Sequence, residues 1–351
     1  MTAEPAEPGW PAMKIGVAGG GSWGTALANL LAEKGYMVDF WVFEPEVRES
    51  IETRRENALF LPGIPLSENL RPTNDLSKTA RDKDLLLLVP PSHIMRDLTL
   101  RMAEDLHPDT ILVSASKGIE NHTHLTMSGI LSETLPRIPA SRQAVLSGPS
   151  FAREVARKVP TVVTVGSPDE NTALLVQKAF STPYFRVYTA SDMIGLELGG
   201  AVKNVIAIAA GIIDGLELGL NTRAALITRG LAEMRRLGVR MGADPWTFAG
   251  ASGVGDLVLT CTGDLSRNYT VGRKIGSGMT LDEILAEMRM VAEGVKNARS
   301  VFTLSTKLEV EMPICREVHR VLYDGAVPGD AVRRLMTRNL RGELDETAAS
   351  G

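Results

Sequence analysis

Short uninterrupted apolar runs begin near residue 14 and alternate with stretches in which apolar residues return every three or four positions. Ile15–Ala18, Val38–Phe43, Leu85–Val89, Ile111–Ser114, Ala144–Ser147 and Thr161–Val165 are short runs rich in adjacent Leu, Val and Ile. A strand reads this way when both of its faces are buried, as in a parallel sheet flanked by helices. Between the first two runs, Thr25–Lys34 sets Leu27, Leu30 and Leu31 on one helical face. The strand–helix–strand rhythm predicts a doubly wound α/β sheet. After about residue 190 the rhythm changes to helix alone. Leu196–Leu216, Thr222–Leu237, Val295–Leu308, Pro313–Tyr323 and Gly329–Arg338 all carry the helical period, and Thr280-Leu281-Asp282-Glu283 has the form of a capping box. The expected organisation is a flexible leader over 1–12, a sheet domain over 13–192, an all-helical domain over 193–342 and a flexible tail over 343–351.

Composition narrows the classes. The chain has 351 residues, 44% hydrophobic and 23% charged, enough for about two domains with ample cores. A formal charge of −4 offers no overall basic field for a nucleic-acid backbone. Two cysteines, Cys261 and Cys315, do not staple a chain of this size, so a reducing, cytoplasmic setting is expected. No uninterrupted apolar run reaches the roughly 18 residues that mark a membrane span. Glu4, Glu7 and the prolines at 5, 8 and 11 make the first twelve residues unlike a signal peptide.

Candidate chemistry starts at Gly19-Gly20-Gly21-Ser22-Trp23-Gly24, a G-x-G-x-x-G string that follows a strand and opens a helix. The first glycine permits the tight turn, the second lets a pyrophosphate approach the backbone, and the third allows close helix–strand packing. The N–H groups and dipole of the helix N-terminus complete a phosphate cradle. Glu44 lies about 20 positions on, where a carboxylate accepts from a ribose 2′-hydroxyl. The sheet domain therefore reads as a Rossmann-like dinucleotide-binding domain, leaning toward NAD over NADP. Arg48 stands close enough in sequence to reverse that lean if its side chain reaches back.

In open α/β sheets ligands bind beyond the carboxyl ends of the strands. Those ends carry Pro90-Pro91-Ser92, Ser116-Lys117-Gly118 and Gly148-Pro149-Ser150. Lys117 and Ser150 suit a phosphorylated substrate, but proline and glycine also simply end strands. In the helical half, Lys203 interrupts an apolar helix; it either snorkels to the surface or is buried as an acid/base. Asp256 suits orienting a lysine or capping a helix, and Arg267 suits a phosphate or a solvated turn. His122 and His124, at i and i+2, share no helix face and lack carboxylate or cysteine company, so no metal site is expected.

Together these strings resemble one family, the bacterial NAD(P)-dependent glycerol-3-phosphate dehydrogenases. The resemblance rests on GGGSWGTALA, NALFLPGIPL, SASKGIE, LSGPSFAREV, ELGGAVKNVIAIAAGIIDGL, NTRAALITRGLAEM, GVGDLVLTCTGDLSRNYTVG and VAEGVKNA. They occur in the family's order from about Lys14 to Arg341. The resemblance implies interconversion of sn-glycerol 3-phosphate and dihydroxyacetone phosphate with NAD or NADP, supplying a phospholipid precursor. It implies Lys203 as general acid/base, Asp256 as its supporter and a substrate contact, and Thr260 as a further member. Lys117, Gly148, Ser150, Ser266, Arg267 and Asn268 match substrate-contacting positions, with Arg267 and Lys117 also on the cofactor. Gly19, Gly21, Ser22, Trp23, Gly24, Glu44, Ala152, Val291 and Glu293 are the cofactor-contacting set. Many members carry arginine where this chain has Phe43, and that arginine serves a 2′-phosphate, which strengthens the lean to NAD. A homodimer is implied by resemblance alone. Two rivals stay open: a related hydroxyacid or 6-phosphogluconate-type dehydrogenase, and a catalytically inactive NAD-sensing module.

Overall fold

A computed structural model describes residues 13–288, 292–340 and 342–343. The described residues divide into two compact units: one of residues 13–120 and 125–197, the other of 121–124 and the described residues from 198 on. The chain passes between them inside the 23-residue helix Met193–Gly215, a few residues later than the rhythm change places the boundary.

The first unit holds an eight-stranded sheet: β1 (Ile15–Ala18), β2 (Val38–Trp41), β3 (Leu70–Thr73), β4 (Leu85–Leu88), β5 (Ile111–Ser114), β6 (Gln143–Ser147), β7 (Thr161–Gly166) and β8 (Phe185–Ala190). Its order is β3-β2-β1-β4-β5-β6-β7-β8. The order reverses between β1 and β4, which is the switch point where such sheets bind ligands. Ile15 faces Val38 on one side and Leu85 on the other, both in parallel register. The continuous apolar runs have the expected cause. Ile15, Val17, Leu85 and Leu87 belong to one buried cluster, whereas Ala18, Leu86 and Leu88 belong to another. Successive residues point to opposite faces, so a strand covered on both sides needs apolar residues throughout.

Two strands lack that signature, and one pairing departs from the parallel expectation. β3 reads Leu-Arg-Pro-Thr and β8 alternates buried and exposed positions, as edge strands do. Pro72 is tolerated at an edge, where a missing N–H breaks little of the ladder. β6 and β7 pair antiparallel, with Leu146 opposite Val165, although β7 and β8 are again parallel. The apolar pattern is the same for either direction; backbone pairing decides it.

The second unit is helical. Gly219–Arg240, Asp256–Thr262, Arg267–Gly276, Leu281–Glu287, Glu293–Lys307, Pro313–Tyr323 and Pro328–Met336 follow the rest of the Met193–Gly215 helix. The capping box is formed: Thr280 N donates to Glu283 at 2.8 Å, and Glu283 N to Thr280 Oγ1 at 3.4 Å. Met193–Gly215 is long and apolar enough to cross a membrane, and its apolar window is wholly buried inside the fold. The expected leader and most of the expected tail lie outside the described residues.

Candidate functional site

The glycine turn sits at the end of β1 and opens the helix Ser22–Glu33. Gly19 adopts φ +134°, and a Cβ there would lie 2.6 Å from the carbonyl of Val89. A Cβ on Gly24 would run into the Gly19 carbonyl, so this residue lets helix and strand touch. Gly21 differs, because a Cβ there would meet nothing within 4 Å. Its space is left open rather than packed, as approach of a pyrophosphate requires. The helix has no side-chain cap and no acidic residue in its first turn, so its positive end stays available for an anion. Trp23 Nε1 is buried without a partner among the described residues. Ser22 Oγ donates to the Phe60 carbonyl at 2.5 Å.

Asn57, from the NALFLPGIPL string, carries a role that sequence reasoning did not assign. Its amide donates to Gly20 O and to Thr25 Oγ1, both at 2.8 Å, tying the turn to the helix behind it. At the end of β2, Phe43 is 70% exposed, and Glu44 stands before Pro45 at the helix start without capping it through its side chain. Arg48 pairs with Glu52 at 3.2 Å, one turn along its own helix. Ala152 opens the helix Ala152–Ala156, which packs on the Ser22–Glu33 helix.

Three residues expected to touch substrate converge within this unit. Lys117 Nζ donates to Gly148 O at 3.2 Å, and Ser150 Oγ donates to the same oxygen at 2.9 Å. Gly148 has φ +149°, and a Cβ would lie 2.8 Å from Val163 Cα, so the position excludes side chains.

In the second unit the two readings of Lys203 separate. Its side chain is 7% exposed, and it does not snorkel. Nζ donates to Asp256 Oδ1 and, at 2.9 Å, to Thr260 Oγ1. Thr260 in turn donates to the Asp256 carbonyl at 2.6 Å. Asp256 is the first residue of its helix, but its carboxylate is spent on the lysine rather than on a cap. The register that builds this centre is legible in the backbone. Gly199 would place a Cβ 2.6 Å from Ser252 O, in the single π-helical turn Ala251–Gly255. One turn further along both elements, Lys203 therefore meets Asp256. A buried charge is tolerated only when paired and hydrogen-bonded, as here.

Asn204, beside Lys203, accepts from Asn268 Nδ2 at 2.9 Å, and Asn268 Oδ1 accepts from Gly294 N at 2.9 Å. Asn268 thus joins three helices with its side chain. Ser266 caps the Arg267–Gly276 helix, accepting from Tyr269 N at 3.2 Å, and Arg267 at the first helical position is exposed. Asp214 pairs with Arg223, which also donates to the Tyr269 hydroxyl at 3.3 Å. Cys261 is fully buried, and burial pushes its thiol up to about 12, so it does not serve as a nucleophile near neutral pH. Glu293 opens the helix Glu293–Lys307, while Val291 lies outside the described residues. His124 meets Thr303 Oγ1 at 2.9 Å, and no cluster of three or more His, Cys, Asp or Glu suited to a metal occurs among the described residues.

Comparison with known proteins follows the same division. The model of the NAD-dependent glycerol-3-phosphate dehydrogenase N-terminus matches residues 14–173, and that of the C-terminus matches 192–333. A glycerol-3-phosphate dehydrogenase [NAD(P)+] of Syntrophobacter fumaroxidans is 56% identical over 97% of this chain and 99% of its own. That of Geobacter metallireducens is 58% identical over 94% and 98%. Among solved structures, the Coxiella burnetii glycerol-3-phosphate dehydrogenase superposes with a TM-score of 0.89 at 39% identity, covering 93% of this chain and 99% of that one. A D-mandelate dehydrogenase, at 13% identity and a TM-score of 0.59, shares the fold alone. This chain belongs to the NAD-dependent glycerol-3-phosphate dehydrogenase family.

Proposed function

We propose that this chain interconverts dihydroxyacetone phosphate and sn-glycerol 3-phosphate with NAD or NADP, and that Lys203 is its general acid/base. The observation that carries the residue assignment is the buried Lys203 ammonium held by Asp256 and Thr260. The glycine turn fits a dinucleotide, since Gly21 leaves its approach open and the helix behind it is uncapped. A bound nicotinamide would supply the hydride in reduction and take it up in oxidation; the protein supplies position and charge. Lys203 Nζ gives a proton to the C2 oxygen in reduction and takes it back in oxidation. Asp256 orients the ammonium and offsets the cost of burying it. Arg267, at the N-terminus of its helix, holds the phosphate, where guanidinium and helix dipole act together. That remote contact orients the reacting carbon. Lys117, Gly148 and Ser150 contribute further substrate contacts, and Ser22, Trp23, Ala152 and Glu293 cofactor contacts.

The lean to NAD is part of this reading. Arg48 is engaged with Glu52 rather than offered to a 2′-phosphate, and Phe43 brings no charge. We also place the enzyme in the cytoplasm, in phospholipid precursor supply, as a homodimer; sedimentation velocity tests the last. The deciding assay follows oxidation of NADH and NADPH with dihydroxyacetone phosphate and with 2-oxo acids. Turnover with the phosphorylated ketone, faster with NADH, is expected. Reduction of oxo acids alone would make it a hydroxyacid dehydrogenase, and NADH binding without turnover would make it a sensing module.

A further inference from the structure

The Arg96 guanidinium grips Glu120 with two parallel bonds, Nε to Oε1 and Nη2 to Oε2, both 2.9 Å. It also reaches Glu133, at 3.1 Å and 3.0 Å. The two carboxylates differ in setting. Glu120 has 14% of its side chain exposed and stands three residues after Lys117, whereas Glu133 has 55% exposed and belongs to the helix Met127–Thr134.

The Lys117 segment has few regular bonds of its own, because it follows β5 as irregular backbone. On its upstream side, Ser116 Oγ donates to Pro90 O at 2.5 Å, which ties it to the end of β4. On its downstream side Glu120 N donates to Leu125 O at 2.9 Å, and the Glu120 side chain binds Arg96, on the helix Met95–Met102 that follows the same β4 end. Both side-chain ties therefore run to one neighbouring connection and flank Lys117, whose Nζ also donates to Gly148 O at 3.2 Å. A bidentate arginine–carboxylate pair fixes direction as well as distance.

We infer that the Arg96–Glu120 pair is a positioning device for Lys117, setting where its ammonium meets the substrate. This rests on the reading of Lys117 as a substrate contact, and the experiment separates the two. Glu120→Gln removes the charge yet leaves Arg96 paired with Glu133, so no orphaned cation unfolds the protein. Glu133→Gln is the control, since it alters the same guanidinium without touching the Lys117 segment. Steady-state kinetics are measured for both, for Lys117→Ala and for the double variant Lys117→Ala/Glu120→Gln, with NADH affinity and the thermal midpoint followed alongside. Glu120→Gln raises KM for dihydroxyacetone phosphate about tenfold, the scale of coupling within one polar network. Glu133→Gln stays near wild type, NADH affinity holds in Glu120→Gln and Glu133→Gln, and the thermal midpoint holds in all variants. In the double variant Glu120→Gln adds nothing to the loss already caused by Lys117→Ala.

Equal effects of Glu120→Gln and Glu133→Gln would overturn the inference, as would additive losses in the double variant, since both describe a merely structural pair. A silent Lys117→Ala would overturn the substrate reading itself, and the positioning role with it. A loss in Lys117→Ala with wild-type behaviour in Glu120→Gln would overturn the positioning role alone.

Discussion

Around Gly19–Gly24 the polar groups that matter belong to the backbone, whereas around Lys203 they belong to side chains. The turn is built by subtraction. Gly19 and Gly24 remove Cβ atoms that would strike the Val89 and Gly19 carbonyls, and Gly21 removes one that would strike nothing in the protein. The Lys203 centre is built by enclosure, with an ammonium and a carboxylate buried together and a hydroxyl completing the set. The two regions should therefore fail differently. In the turn, a substitution adds atoms and harms the ligand or the fold according to what occupies the space. In the lysine centre, a substitution strands a buried charge, so chemistry and stability fall together.

The sharpest break in that comparison is Lys203→Ala. Loss of a general acid/base lowers kcat by about 10²–10⁴-fold, with NADH affinity unchanged when measured by fluorescence titration. Near-wild-type turnover would remove Lys203 from its role. The single variant also loses stability, on the order of 3–5 kcal/mol, because the buried Asp256 carboxylate loses its counter-charge. Replacing both partners, as Lys203→Met/Asp256→Leu, should recover much of the thermal midpoint but none of the turnover. Recovery of neither would mean that the pair also organises the surrounding helices.

Gly21→Ala gives the mirror image. Backbone angles of −68° and 176° suit any residue, and the added methyl meets no protein atom. The thermal midpoint should hold while NADH affinity falls roughly 10–100-fold, about the 1.4–2.8 kcal/mol of a spoiled phosphate approach. Unchanged affinity would contradict the cradle. Arg267→Ala should act chiefly on the substrate side, raising KM for dihydroxyacetone phosphate by about 1.5–3 kcal/mol, or ten- to a hundredfold, the value of a charge-assisted bond. An unchanged KM would count against the phosphate assignment.

The last effect concerns stability rather than catalysis. Glu233 is buried on the Gly219–Arg240 helix and accepts from Ile314 N at 2.7 Å and Cys315 N at 3.1 Å. Burial outweighs these bonds and pushes its carboxyl up to about 7. The folded state then holds a proton between about pH 4.5 and 7 that the unfolded chain has released, so stability falls with rising pH across that window. The slope is at most about 1.4 kcal/mol per pH unit for one group. Thermal unfolding of wild type and Glu233→Gln at pH 5 and 7.5 checks this, and parallel pH profiles would contradict it.

Much of the site was legible because its residues are locally improbable. Three glycines at the end of an apolar run and a lysine inside an apolar helix both demand a reason, and GVGDLVLT and SRN supply neighbours of suitable chemistry. Asn57 and the Arg96–Glu120 pair were not legible in the same way. Each is an ordinary polar residue whose partner lies 24 to 37 positions away, and nothing local marks the bond. The edge strands β3 and β8 escaped for a related reason. An edge needs only one neighbour, so Pro72 and exposed Tyr188 cost it little and blur the pattern that central strands must keep.

By itself, then, the sequence determined the two-part architecture, the central strands and the turn at Gly19–Gly24, because each is marked by a pattern of neighbouring residues even where the pairing itself is distant. Only the tertiary structure decided that Lys203 is buried rather than snorkelling, that Asp256 serves the lysine instead of a helix cap, and that β7 runs against β6. Those outcomes depend on which distant backbone comes close. Gly199 against Ser252 sets the register that carries Lys203 to Asp256, and periodicity contains no term for such an approach.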